Sequence, residues 1–92
     1  MEPILEIPIR IIKEQELVIG PLAWDEAKKV PGLTVNPSQT FVTLSGDSKD
    51  IINKLVAQYE RLFGRASREV CWEAVYDILA NMAPEEIPSS LK

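Results

Sequence analysis

The stretch LFGRASREVCWEAV, residues 62–75, interrupts the most helical part of the chain with a glycine, Gly64. At about 100° per residue, the apolar positions of residues 51–63 and those of residues 70–82 form two stripes whose centres differ by about 120°. One straight helix cannot direct both stripes toward one core. The sequence therefore predicts two helices that meet at Gly64.

The residues of this joint fit the ends of two helices. Gly64 suits the left-handed position that follows a helix, and Ser67 suits the N-cap of the next one. The second helix is expected from about Ser67 to Asn81, with Ala83-Pro84 ending it. The tail after it is too rich in proline for another long element, although Pro84 can start a single turn.

The first helix of the pair has a clear start. Asp47 or Ser48 is the expected N-cap, and Asp50 in the first turn matches the helix dipole. We expect this helix to end near Phe63. Directly before it, the β-branched and aromatic run TFVTL, residues 40–44, predicts a strand.

The N-terminal part alternates apolar and polar side chains. The odd positions from Leu5 to Ile11 are apolar, which predicts a half-buried strand with Pro8 at a sheet edge. Residues 17–19 predict a second strand, so that the two form a hairpin. Residues 22–30 predict a short helix that Pro31-Gly32 stops, and the turn-rich GLTVNPSQ, residues 32–39, predicts a connector or an irregular edge.

These elements define the expected architecture, a small single α+β domain of order β-β-α-β-α-α. Its antiparallel sheet packs against the C-terminal pair of helices. The expected regions are a strand hairpin and short helix in 1–35, a connector and third strand in 36–46, the helical pair in 47–82 and a tail in 83–92.

Composition limits the classes of function. The 92 residues are 46% hydrophobic, an ordinary balance for one folded domain. A net charge of −4 disfavours nucleic acid and anionic lipid as partners. Charged residues and proline break the apolar N-terminal run, so we expect neither a secretory signal nor a membrane span. A lone cysteine fits a reducing compartment, and we expect a cytoplasmic protein.

Groups suited to catalysis are scarce. Histidine is absent, which removes the commonest general base and metal ligand. Cys71 falls within the apolar stripe of the second helix, as a small buried hydrophobe would. The glycines match no phosphate-binding motif, and an enzyme that used carboxylates alone would need an enclosed pocket. We expect no catalytic residue, no cofactor and no metal, hence no enzyme.

The outer side of the second helix carries the best candidate for binding. Trp72 and Tyr76 lie one turn apart, with Glu69, Glu73 and Asp77 in an acidic row alongside. One interpretation is that the two aromatics pack under the N-terminal hairpin. The other is that they anchor a protein partner or a second copy, with a basic partner surface matching the acidic row.

Residues 40–82 resemble the ribbon-helix-helix proteins. A strand, a helix, the joint GRAS and the helix REVCWEAVYDIL follow one another, and the Glu-Val and Ala-Val of this helix are spaced as in that family. The resemblance implies a dimeric DNA-binding regulator or antitoxin, with Thr43 at base edges and Arg65, Ser67 and Arg68 at phosphates. The strand contains no Lys or Arg, and residues 40–82 hold five basic and six acidic side chains, where a DNA-binding domain is expected to be positive.

The residues themselves predict a non-enzymatic protein-interaction module, either a homodimer or a small accessory or regulatory subunit of a larger assembly. Its expected partner-binding residues are Trp72, Tyr76, Glu69 and Glu73. The alternative function is the DNA-binding dimer that the resemblance implies.

Overall fold

The computed structural model describes residues 3–36 and 41–92, which form mostly α-helix. The helices are α1 (Pro3–Ile19), α2 (Leu22–Ala27), α3 (Ser48–Phe63) and α4 (Arg65–Leu79), and the strands are β1 (Leu33–Asn36) and β2 (Phe41–Leu44). Two 3₁₀ turns follow, Pro84–Glu86 and Ser89–Leu91. The expected α+β fold of order β-β-α-β-α-α is therefore wrong. Over the described residues the order is α-α-β-β-α-α, with a sheet of two strands.

The hairpin predicted for the N-terminal part is replaced by α1. The fully buried side chains of Ile7, Ile11, Ile12 and Gln15 are spaced by four, one and three residues, which is the pattern of one helix face. A spacing of four also fits a strand, because it is a multiple of two. The strand prediction is wrong because the alternation stops at Ile11, whereas the helical pattern continues through Gln15. Residues 17–19 are the last turn of α1 and not a second strand.

Pro8 lies inside α1 and not at a sheet edge. Its nitrogen cannot donate the hydrogen bond to the carbonyl four residues earlier, so the helix loses one backbone bond there. The proline ring is fully buried on the same face as Ile7 and Ile11. Pro8 therefore adds apolar contact to the core where it removes a hydrogen bond.

The sheet of the structure is a hairpin of β1 and β2. The strands are antiparallel, with Leu33 opposite Leu44. Leu33 and Val42 are buried, and β2 packs against α1. The strand predicted at residues 40–44 is confirmed for Phe41–Leu44, while its first residue lies outside the described ranges. Part of the predicted connector forms β1.

The predicted short helix is confirmed as α2, which ties α1 to α3. The indole Nε1 of Trp24 donates to Glu16 Oε2 of α1 at 2.9 Å. The hydroxyl of Tyr59, a fully buried side chain of α3, donates to the carbonyl of Ala23 at 2.6 Å. The C-terminal ends of α1 and α3 therefore lie at the same end of the molecule.

The break between the last two long helices is confirmed. Asp47 is the N-cap of α3, and its Oδ1 accepts from the backbone N–H of Asp50 at 3.1 Å. α3 ends at Phe63, and Gly64 follows with a φ of 90°, a conformation that favours glycine. This corner lets α3 and α4 direct differently rotated apolar stripes into one core.

The N-cap predicted at Ser67 is wrong. α4 begins at Arg65, and Ser67 is a buried residue of its first turn. The carbonyl of Ser67 accepts from Gln15 Nε2 of α1 at 3.0 Å. The start of α4 is thus fixed by α1 and not by a capping side chain.

α1 and α4 pack side by side in opposite directions. Arg10, in the first half of α1, contacts Asp77 near the end of α4, whereas Gln15 contacts Ser67 near its start. The buried apolar side chains of the helices and the hairpin form a single cluster. The two helices that are farthest apart in the sequence therefore share one core.

The tail after α4 completes this core. Its predicted single turn at Pro84 is confirmed. Further along, Pro88 and Leu91 are buried, and Leu91 belongs to the apolar cluster. The backbone N–H and the hydroxyl of Ser90 donate to Asn53 Oδ1 of α3 at 3.0 and 2.6 Å. These hydrogen bonds hold the tail against α3, next to α4.

Candidate interaction surface on α4

α4 is held by α1 on one side and by the tail on the other, and one face remains exposed. Nη2 of Arg10 donates to both carboxylate oxygens of Asp77, at 2.8 and 2.7 Å, and its Nε donates to the Ala74 carbonyl at 3.2 Å. On the opposite side, Nε of Arg68 donates to the Ser90 carbonyl at 3.2 Å. These contacts fix the rotation of α4, so that the side chains between them face outward.

Trp72 and Tyr76 form the centre of this outward face. They are 46% and 57% exposed, and their rings stack with centroids 5.7 Å apart and an angle of 24° between the ring planes. The interpretation in which they pack under an N-terminal hairpin is wrong, because residues 5–19 are helical and neither aromatic belongs to the core. Both rings are accessible to a partner.

The acidic row divides into one paired carboxylate and two unpaired ones. Hydrogen bonds from the Arg10 guanidinium lower the pKa of the Asp77 carboxyl. Among the described residues, Glu69 and Glu73 have no hydrogen-bond or ion-pair partner for their side chains, and both are exposed. Two carboxylates that have no hydrogen-bond or ion-pair partner within the described residues therefore lie on the same side of α4 as the aromatic pair.

A shallow groove of about 340 Å³ runs beside Trp72 toward the tail. Its charged lining consists of Arg65, Arg68 and Lys92 with Glu60 and Glu69. The groove is open to solvent and mixed in charge. It is not the enclosed pocket that an enzyme relying on carboxylates alone would need.

The residues that the ribbon-helix-helix resemblance assigns to DNA do not meet at one surface. Thr43 is exposed on β2, before α3, whereas Arg65 and Arg68 follow α3. This helix has 16 residues and is therefore about 24 Å long. Ser67 is buried, and β2 pairs with β1 of the same chain. The DNA-binding alternative stays a prediction.

Cys71 and Gln15 form a buried polar contact behind the outward face. Nε2 of Gln15 lies 3.4 Å from Cys71 Sγ, and in the described residues its Oε1 has no hydrogen-bond partner. Burial raises the pKa of the Cys71 thiol to about 11, so the thiol is protonated near neutral pH. The buried position predicted for Cys71 is confirmed. Sequence reasoning missed Gln15, although its position four residues after Ile11 puts both on the same face of a helix.

A second exposed apolar surface lies where α1 and α3 end, and we name it the open end. Two of its side chains, Leu17 and Val18, are 80% and 65% exposed. Sequence reasoning missed this surface as well, because it assigned residues 17–19 to a strand and placed Leu62 and Phe63 in the apolar stripe that faces the core. The signal that could have indicated it is that apolar residues directly precede Gly20 and Gly64, where the helices end. The members of the open end are Leu17, Val18, Leu22, Leu62 and Phe63.

Residues 3–36 and 41–92 contain neither a metal-binding cluster nor a helix that could cross a membrane. In these ranges no group of three or more His, Cys, Asp or Glu side chains is arranged to hold a metal ion. No helix there combines the length and the hydrophobicity that crossing a membrane requires. Comparison with protein-family models, curated proteins and solved structures finds no match.

Proposed function

We propose that this chain is a non-enzymatic protein-interaction module, acting as a homodimer or as a small accessory subunit of a larger assembly. It binds its partner through the outward face of α4. The observation that supports this most is the exposed, stacked pair of Trp72 and Tyr76. Trp and Tyr are enriched among the residues that contribute most to binding energy at protein interfaces.

The rigidity of the pair adds to this support. Binding costs free energy when it immobilises side chains that were free before. Trp72 and Tyr76 already restrain each other by stacking, and α4 is held in place by Arg10 and Arg68. A partner that covers the two rings therefore gains apolar burial at a small cost in side-chain entropy.

Alanine at both aromatic positions tests the proposal. The variant Trp72→Ala/Tyr76→Ala should keep the fold, because both side chains lie outside the core, and should lose partner binding. Sedimentation velocity measures self-association, and affinity capture with a tagged chain followed by mass spectrometry measures binding of other proteins. Far-UV circular dichroism checks that the variant is folded.

A matched variant removes exposed apolar surface elsewhere. Leu17→Ala/Val18→Ala acts at the open end and should leave self-association and capture unchanged. If this control loses the partner while the α4 variant keeps it, the interface lies at the open end and the proposal is wrong. Unfolding of the α4 variant would also contradict it, because the aromatics would then be structural.

A further inference from the structure

The outward face of α4 repeats one arrangement twice along the helix. Glu69 precedes Trp72 by three residues, and Glu73 precedes Tyr76 by three residues. Side chains at this spacing are neighbours on a helix, with about 5–6 Å between their Cβ atoms. Each exposed ring therefore has a carboxylate about one turn before it on the same side of the helix. We call the two stacked rings, together with Glu69 and Glu73, the platform.

The two carboxylates of this platform repel each other in the free chain, and Arg65, four residues before Glu69, can offset the charge of Glu69 only. Glu69 and Glu73 lie four residues apart, a spacing at which like charges destabilise a helix. Neither is paired within the described residues, in contrast to Asp77, which Arg10 neutralises one turn further on. A positive group placed between the carboxylates and the rings would remove this repulsion.

We propose that the platform binds an arginine side chain of a basic segment in a partner protein. This inference rests on the proposed function and names the chemistry of its partner. A guanidinium is planar, so it can stack on the face of Trp72 or Tyr76 while its N–H groups donate to a neighbouring carboxylate. A lysine ammonium is more strongly hydrated and cannot stack in this way.

Two other occupants fit the platform less well. An apolar partner would have to remove water from Glu69 and Glu73 without giving them hydrogen bonds, which is costly. A second copy that docked the same face would bring four unpaired carboxylates close together. A cationic segment satisfies both the rings and the carboxylates.

Neighbouring charges place the arginine toward the second half of α4. Arg65 and Arg68 lie at the start of the helix and repel a cation there. Toward the other end, α4 itself has no basic side chain in its last turn, and Arg10 of α1, which lies there, is paired with the Asp77 carboxylate. Glu73 lies between Trp72 and Tyr76 in the sequence. The guanidinium therefore stacks nearest to Tyr76 and pairs with Glu73.

A titration with capped octa-arginine peptide, monitored by NMR, tests this inference. The chain has two tryptophans, of which Trp24 is buried and Trp72 exposed, so the indole N–H signal of Trp24 is an internal control. We expect octa-arginine to shift the Trp72 signal and to bind more tightly than octa-lysine. Tyr76→Ala should weaken binding about two- to five-fold, the effect of one exposed cation–π contact. Glu73→Gln should weaken it by up to about five-fold, the effect of one exposed ion pair.

A matched charge variant separates site binding from attraction to the net charge of −4. Glu85→Gln removes one exposed carboxylate of the 3₁₀ turn that follows α4 and should change the affinity less than Glu73→Gln does. Equal losses for both variants, or equal binding of octa-lysine and octa-arginine, would overturn the inference.

The inference can fail while the proposed function survives. If the peptides do not bind but Trp72→Ala/Tyr76→Ala still abolishes self-association or capture, the face binds protein through other chemistry. If Glu73→Gln, Tyr76→Ala and Trp72→Ala/Tyr76→Ala change neither peptide binding nor partner binding, both proposals are wrong.

Discussion

The inner and outer faces of α4 belong to the same fifteen residues and have opposite roles. The inner face carries Cys71, Val75 and Ile78, buried against α1 and α3. The outer face carries Trp72 and Tyr76, which are the larger side chains and yet remain in solvent. A helix that needed its aromatics only for stability would bury them. Their exposure separates the residues that fold this chain from those available for binding.

Truncation on the inner face should give the largest loss of stability. Ile78→Ala deletes a buried side chain that packs in the core, and we expect a loss of about 2–5 kcal/mol in the free energy of unfolding. Urea denaturation followed by circular dichroism measures it. On the outer face, Trp72→Ala should change this free energy by only about 0.5 kcal/mol, as for most surface substitutions. Similar losses for the two variants would mean that the outer face is structural.

The polar contact behind α4 should give an intermediate effect. Gln15→Ala leaves the buried Ser67 carbonyl without its donor from α1, which should cost about 1–3 kcal/mol of unfolding free energy. Lys13→Ala on the exposed side of the same helix is the control, and we expect no significant change from it. Urea denaturation measures both variants. If both unfolded at the same urea concentration as the wild type, this role for Gln15 would be contradicted.

The ion pair at the boundary of the two faces should give the smallest effect, visible through pH. The pKa of Asp77 is lowered from an ordinary value of 3.8, chiefly by hydrogen bonds from Arg10. Its contribution to stability is therefore present above pH 3.8 and is lost as the pH falls through the lowered pKa. Arg10→Met should remove this part of the acid dependence, as measured by urea midpoints from neutral to acid pH.

The control variant removes one positive charge at a different position, where it does not break the Arg10–Asp77 ion pair. Lys28→Met takes away one exposed cation and should leave the acid dependence as in the wild type. An unchanged pH profile for Arg10→Met would show that the Arg10–Asp77 pair does not contribute to folding.

The C-terminal half could be predicted from the sequence because local signals agree there. The apolar stripes of α3 and α4, the cap at Asp47 and the corner at Gly64 all depend on neighbours along the chain. The N-terminal half was mispredicted because Ile7 and Ile11 fit both a strand and a helix. The polar residues after Ile12 also look like a turn, although Gln15 among them is buried by its contact with Ser67, 52 positions away.

For the candidate site, the sequence predicted which residues share one side of the helix, but not whether that side is exposed. The helical spacing placed Trp72, Tyr76, Glu69 and Glu73 on one side of a helix. Whether that side is buried depends on which part of α4 is covered by α1. The residues near α4 in the sequence carry no information on that packing. The same dependence on distant contacts explains why the pairing of Asp77 with Arg10 was missed.

The packing of α1 against α4 has a consequence for synthesis on the ribosome. Arg10 and Asp77 are separated by 67 positions, so at bacterial or eukaryotic rates α1 waits roughly 3–13 s for its partner helix. During that time the apolar stripe of Ile7, Ile11 and Ile12 has no α4 to pack against. The nascent chain therefore exposes apolar side chains, which favour aggregation, before the domain is complete.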